Sequence, residues 1–166
     1  MKILKHAARC FLVVAIGVSL TACVPRAFTP GNGEPNAVVH SRGQATAALL
    51  AVPGVITCTV DTTEAGLQVE LQVRLQVTDD FDPAKLTPLV DYALAQAWAT
   101  DERKPDSATT LKVSTPVSDF PLVPAADQLG FLGQAEPRLR VVNDQMTQRY
   151  GDWPGPVPTL PAELAG

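Results

Sequence analysis

Histidine is almost missing from this chain of 166 residues: two occur, His6 and His40. His6 belongs to a leader-like N-terminus, so His40 is left alone in a proline- and glycine-rich segment. A Ser-His-Asp triad or a histidine-rich zinc site needs an imidazole held in fixed geometry beside its partners, and one imidazole on such a segment does not supply that. No GxSxG, P-loop, GxGxxG or HExxH pattern occurs either. Cysteine is nearly as scarce, with Cys10, Cys23 and Cys58 the only three, and aromatic residues make up 5%. Basic runs are absent: removing the first 22 residues leaves 10 basic residues against 17 acidic ones, a net charge of −7. Nucleic-acid backbones and anionic lipid head groups both require clustered Lys and Arg, so neither is an expected partner. These absences predict no catalytic residue, no metal ligand and no cofactor, and hence a protein that is not an enzyme.

What is present first is an address. The opening MKILKHAAR is basic, CFLVVAIGVSL is an apolar run of about a dozen residues, and small residues follow. That run is shorter than the ~20 residues of a membrane-spanning helix. It ends in Leu20-Thr21-Ala22-Cys23. This signal peptide resembles that of bacterial lipoproteins, whose lipobox places Leu three residues before a Cys with two small residues between. The resemblance implies removal of residues 1–22 and acylation of the Cys23 thiol, and two or three acyl chains give the stable membrane attachment that one does not. It also implies an extracytoplasmic location: the outer face of the plasma membrane in a Gram-positive cell, or, because Val24 rather than an aspartate follows Cys23, the outer membrane in a Gram-negative one. Lipidation of Cys23 and loss of Cys10 would leave Cys58 without an intramolecular disulfide partner. Within VITCTVD it shares one strand face with Ile56 and Val60, the pattern of a buried apolar cysteine.

Behind the lipidated cysteine, residues 23–40 read as a flexible tether. Residues 41–150 read as one α+β domain, and residues 151–166, DWPGPVPTLPAELAG after Gly151, as an extended proline-rich tail. Ser41 and Gln44 form a capping box ahead of the stripe Ala45, Ala48, Leu49 and Val52, and Pro53-Gly54 stops that helix. Two strands follow, over 55–61 and 67–78, joined by the loop TTEAG. A first turn at Pro83 and a main helix from Pro88 carry Leu86, Leu89, Val90, Ala93, Leu94, Ala97 and Trp98 on one broad face. A third strand alternates Thr109, Leu111 and Val113 with Thr110, Lys112 and Ser114. A short helix around 125–129 comes next. Residues 137–150 fit either a single helix or a strand RLRVV followed by a helix capped at Asn143. The expected fold is a two-layer open sandwich of αββαβ order with an antiparallel sheet, then a helical C-terminal part. Its element order is similar to that of ferredoxin-like and BON-type modules, without the glycine pattern of BON domains.

The second strand, GLQVELQVRLQVTDD, alternates almost without fault. Its apolar side, from Leu67 to Val77, is needed to receive the long helix. Its polar side, with Gln72 and Arg74 at its centre and Thr78, Asp79 and Asp80 at its end, is the candidate surface for a partner. At ~3.3 Å per residue this strand outruns the helix above it, which points to the Thr78–Asp80 end as the overhang. Asp79, Asp80 and Asp82 also suggest calcium, but the spacing lacks the D-x-D-x-D-G pattern and distal glutamate of a calcium loop, and a strand exit into an Asp82-capped helix accounts for the run. Trp153 either docks the tail onto the domain or offers an aromatic contact to a partner or glycan. The leading expectation is therefore a lipid-anchored interaction or accessory module of the cell envelope, attached to the membrane at Cys23 and presenting its domain to another envelope protein. The alternative is a small-ligand or metal-binding lipoprotein using a groove between sheet and tail, with a carboxylate-dependent hydrolase behind both.

Overall fold

The computed structural model describes residues 40–166; the lipobox, Cys23 and the tether up to Val39 lie outside the described residues. Helix α1, Arg42–Leu50, begins with the expected capping box, in which the Ser41 hydroxyl accepts from the Gln44 N–H at 3.2 Å and the Gln44 side chain accepts from the Ser41 N–H at 2.8 Å. Two otherwise unpaired amides are thereby satisfied. Ala45, Leu49 and Val52 turn into the core.

Strand β1, Val55–Ala65, and strand β2, Gln68–Val77, form an antiparallel hairpin that pairs as far as Ala65 with Gln68. The first four residues of TTEAG, expected as a loop, therefore continue the ladder. Gly66, at φ +68°, and Leu67 make a two-residue turn, the tightest connection that keeps both strands paired to the tip. Leu67, placed by the alternation on the apolar side, stands fully exposed at that turn. From Val69 the alternation holds: Val69, Leu71, Val73, Leu75 and Val77 are at most 2% exposed. Burying each contributes about 1.5–3 kcal/mol.

A 3₁₀ turn, Pro83–Lys85, capped by the Asp82 carboxylate on the Ala84 N–H at 2.9 Å, runs directly into α2, Leu86–Trp98. The helix starts before Pro88, not at it. The first four amides of a helix have no intrahelical acceptor, so a proline in the first turn removes no bond. Chain direction then returns through β3, Ala108–Ser114, followed by α3, Val123–Gln128, β4, Leu139–Val142, and α4, Asn143–Tyr150. Of the two readings for residues 137–150, the strand followed by a helix is the one formed.

The fold is α+β, with a four-stranded sheet in the order β1-β2-β3-β4. The sheet is mixed, which corrects the antiparallel expectation: β1/β2 and β3/β4 are antiparallel, but β2/β3 run parallel, with Leu71 opposite Thr109 and Gln76 opposite Ser114. The cause is α2, a crossover that carries the chain back to the starting end of the sheet before β3 begins.

Helix α2 is buried on nearly every side, including Tyr92 and Gln96 as well as the expected stripe. A helix covered all round needs a further layer. The C-terminal segment supplies it: the Gly155 N–H donates to the Trp98 carbonyl at 3.1 Å, the Trp98 indole donates to the Gly151 carbonyl at 2.9 Å, and the Gln96 amide donates to the Pro158 carbonyl at 3.2 Å. Leu164 is fully buried and Trp153 packs against the same core. The tail bends at 152–154, runs irregularly over 155–161 and closes in a turn at 162–164, and it is a structural part of the domain. His40 is likewise not in a tether. It is 8% exposed, its Nε2 lies 2.8 Å from Gln96 Oε1, and its carbonyl accepts from the Asp101 N–H at 3.2 Å. A short ring side chain next to Ser41 gave no periodic signal that would have marked it as buried.

Candidate functional site: the uncovered face of the sheet

Helices and tail contribute Ala45, Leu49, Leu89, Leu94, Ala126, Met146 and Leu164 to one apolar cluster with the inward side chains of all four strands. The opposite sheet face is left uncovered by the described residues. Strand register places its side chains in rows: Thr57, Gln76 and Ser114; Thr59, Arg74 and Lys112; Asp61, Gln72, Thr110 and Arg140. All are polar, as alternation requires of residues facing away from the core. Every described aromatic side chain lies in or against the core, so none stands on this face.

Several of these groups are already engaged. Glu70 accepts from Arg140 Nη2 at 2.6 Å and Nε at 3.0 Å, a paired guanidinium–carboxylate contact across strands, and the Ser107 hydroxyl adds a longer bond at 3.4 Å. The Thr63 hydroxyl donates to Gln72 at 3.1 Å. Lys112 Nζ sits 3.0 Å from Asp119. Arg74 and Arg138, by contrast, form no ion pair with any described residue, and both are exposed. Two shallow hollows open here. One of about 330 Å³ is lined by Thr57, Thr59, Arg74, Gln76, Lys112 and Ser114. A second of about 240 Å³ is lined by Gln72, Arg74, Lys112, Pro137 and Arg138, so the two meet at Arg74 and Lys112.

Gln72 and Arg74, two of the residues singled out from sequence, therefore lie at the centre of the uncovered face. Thr78, Asp79 and Asp80 do not join them. At that end of β2 the Thr78 N–H donates to the Gly54 carbonyl at 2.8 Å and Phe81 turns in against Phe120 at 6.2 Å between ring centroids, while Asp79 and Asp80 stand exposed in the turn beyond the strand. The free overhang is the hairpin tip at Gly66-Leu67. Asp82 is occupied in capping, and among the described residues no group of three or more His, Cys, Asp or Glu side chains is placed to hold a metal ion. The groove expected between sheet and tail lies instead between α2 and the tail, a space of about 400 Å³ whose lining includes Thr87, Pro88, Asp91, Pro161 and Glu163. Lys112, Arg138, Thr57 and Thr59 went unnoticed as members of the site. Lys112 and the two threonines show outward alternation in the sequence, but nothing there reveals that β3 lies beside β2.

A second polar cluster is structural in character. The Asp91 carboxylate accepts from Arg149 Nε and the Tyr150 hydroxyl, each at 2.7 Å, and ties α4 to α2. Burial above all, and then the neighbouring Asp91 charge, pushes the Tyr150 phenol up beyond its ordinary range, while hydrogen bonding to Asp91 raises Arg149. Burial also pushes the Cys58 thiol up to about 12, well above the range of a reactive thiolate. Among the described residues no helix is long and apolar enough to cross a membrane. No known protein family, curated protein or solved structure matches this chain.

Proposed function

We propose that this chain is a lipoprotein of the cell envelope, anchored by acyl chains on Cys23, whose folded domain works as a non-enzymatic interaction module. The observation that carries the reading is the uncovered sheet face. Four strands expose a largely polar surface, interrupted by Val142 on β4, on a domain whose other side is closed by four helices and a docked tail. Neither the Asp91 cluster nor the Cys58 thiol supports catalysis: the first holds two helices together and the second is buried and protonated at neutral pH. Residues Leu20-Thr21-Ala22-Cys23 support the anchor, because a thiol at that spacing behind an apolar segment is the acceptor that lipoprotein acylation needs.

Metabolic labelling with an alkyne fatty acid tests the anchor. Wild-type protein should carry label and fractionate with membranes, and Cys23→Ala should lose both. Label retained by Cys23→Ala would overturn the lipoprotein reading.

A further inference from the structure

We propose that the trough centred on Arg74 and Lys112 binds an extended acidic segment of a partner protein, with carboxylates at alternate positions of that segment. The proposal rests on the interaction-module reading and names the partner chemistry of the same face. Charge distribution is the first argument. Residues 40–166 contain 16 acidic and 9 basic side chains, yet the trough and its margin gather Arg74, Lys112, Arg138 and Arg140 against Glu70, Asp119 and Asp61, the last of which is paired with Arg42. The net-positive hollow attracts an acidic partner, while the net-negative remainder of the domain repels other copies of this chain.

Geometry supplies the second argument. Arg74 and Lys112 are register neighbours on adjacent strands, about 4.8 Å apart along the hydrogen-bonding direction. One carboxylate fits between them, and a carboxylate two residues along an extended segment, roughly 6.6–6.8 Å away, falls in the same hollow as Arg138. Arg74 and Arg138 have no anionic partner among the described residues, so a ligand carboxylate displaces no internal ion pair at either. Hydroxyls and amides of Thr57, Thr59, Gln76 and Ser114 line the other hollow and match the donors and acceptors of a bound main chain. The absence of any described aromatic side chain from this face disfavours a sugar ligand, which stacks on such rings.

The test is fluorescence anisotropy of the full chain in detergent micelles with a labelled heptapeptide alternating glutamate and threonine, beside its glutamine counterpart. The glutamate peptide should bind at least about tenfold tighter than the glutamine one, and combined Arg74→Glu and Arg138→Glu should remove about tenfold of that affinity. Circular dichroism and Tm should stay unchanged, and Lys104→Glu, an exposed charge away from the trough, should leave binding intact. Equal affinity for both peptides, or no effect of the double reversal, overturns the proposal. So does displacement of the peptide by inorganic phosphate or phosphatidylglycerol vesicles at lower concentration than by excess unlabelled glutamate peptide. Doubling of the molecular mass that is lost on Arg74→Glu would assign the trough to a second copy of this chain instead. If a crosslinker at Gln72 captures a partner in cells while the acidic peptide fails, only this proposal falls; if the peptide binds and Gln72 captures nothing, the proposal stands and the wider reading falls.

Discussion

Replacing Leu164 by Ala should destabilise the domain far more than its place near the end of the sequence suggests. Leu164 is fully buried in the cluster that includes Leu89 and Leu94 of α2, and its N–H bonds to the Pro161 carbonyl at 3.0 Å. Loss of the three carbons beyond Cβ forfeits about 0.8 kcal/mol per carbon, to which the residual cavity adds, giving about 2–4 kcal/mol. For a domain of this size that is a fall in Tm of roughly 6–15 °C. A ceiling applies, because the segment can detach. The cost cannot exceed the docking free energy of residues 153–166, so a truncation before Trp153 should lower Tm by at least as much as Leu164→Ala. Thermal unfolding followed by circular dichroism measures both, and amide exchange at Gly155, whose N–H bonds to the Trp98 carbonyl, reports local release. A Tm within about 2 °C of wild type for Leu164→Ala would refute the claim that the tail is part of the core.

Gly155→Ala probes the same junction from the other side: a Cβ there would stand 2.8 Å from Trp98 Cδ1 and 3.2 Å from the Tyr150 carbonyl oxygen, so overpacking of about 1–3 kcal/mol should appear as a lowered Tm. Wild-type Tm would show that the loop yields freely. Cys58 should resist alkylation in the native protein at neutral pH, since burial holds its thiol protonated up to about 12. The native state then keeps a proton that the unfolded state releases above about 9, so stability at this site falls as pH rises from 9 towards 12. Cys58→Ala should flatten that decline relative to wild type in denaturant titrations, and an unchanged slope would show that the thiol is not responsible.

Much of the fold was legible because its signals are local. The Ser41–Gln44 capping box, the alternation from Val69 to Val77 and the Leu86–Trp98 stripe each depend on neighbours within a turn or two of the same element. Parallel pairing of β2 with β3 depends on a crossover between segments some forty residues apart, and alternation alone does not report direction. The tail escaped for a related reason. Trp153 alone hinted at a docked tail; proline-rich extended chain has no period, so burial of Leu164 left no pattern, and the enclosure of Tyr92 and Gln96 on α2 was invisible without it. At the candidate site, Gln72 and Arg74 were readable from outward alternation on β2. Lys112 and Arg138 became their neighbours only through β3 pairing and the loop before β4. The turn after β2 was not legible, because the bond from the Thr78 N–H to the Gly54 carbonyl joins segments some twenty residues apart, and it sets Thr78, Asp79 and Asp80 apart from Gln72 and Arg74.

The central claim, that the uncovered sheet face is the working surface of an envelope module, is tested most directly by site-specific photocrosslinking in intact cells. A photoreactive residue at Gln72 should give one dominant adduct with an envelope protein. That adduct should be lost on Arg74→Glu and absent when the same group is placed at Gln128, on the helical side of the domain. No adduct from Gln72, or an adduct of equal yield from Gln128 that survives Arg74→Glu, would contradict the account.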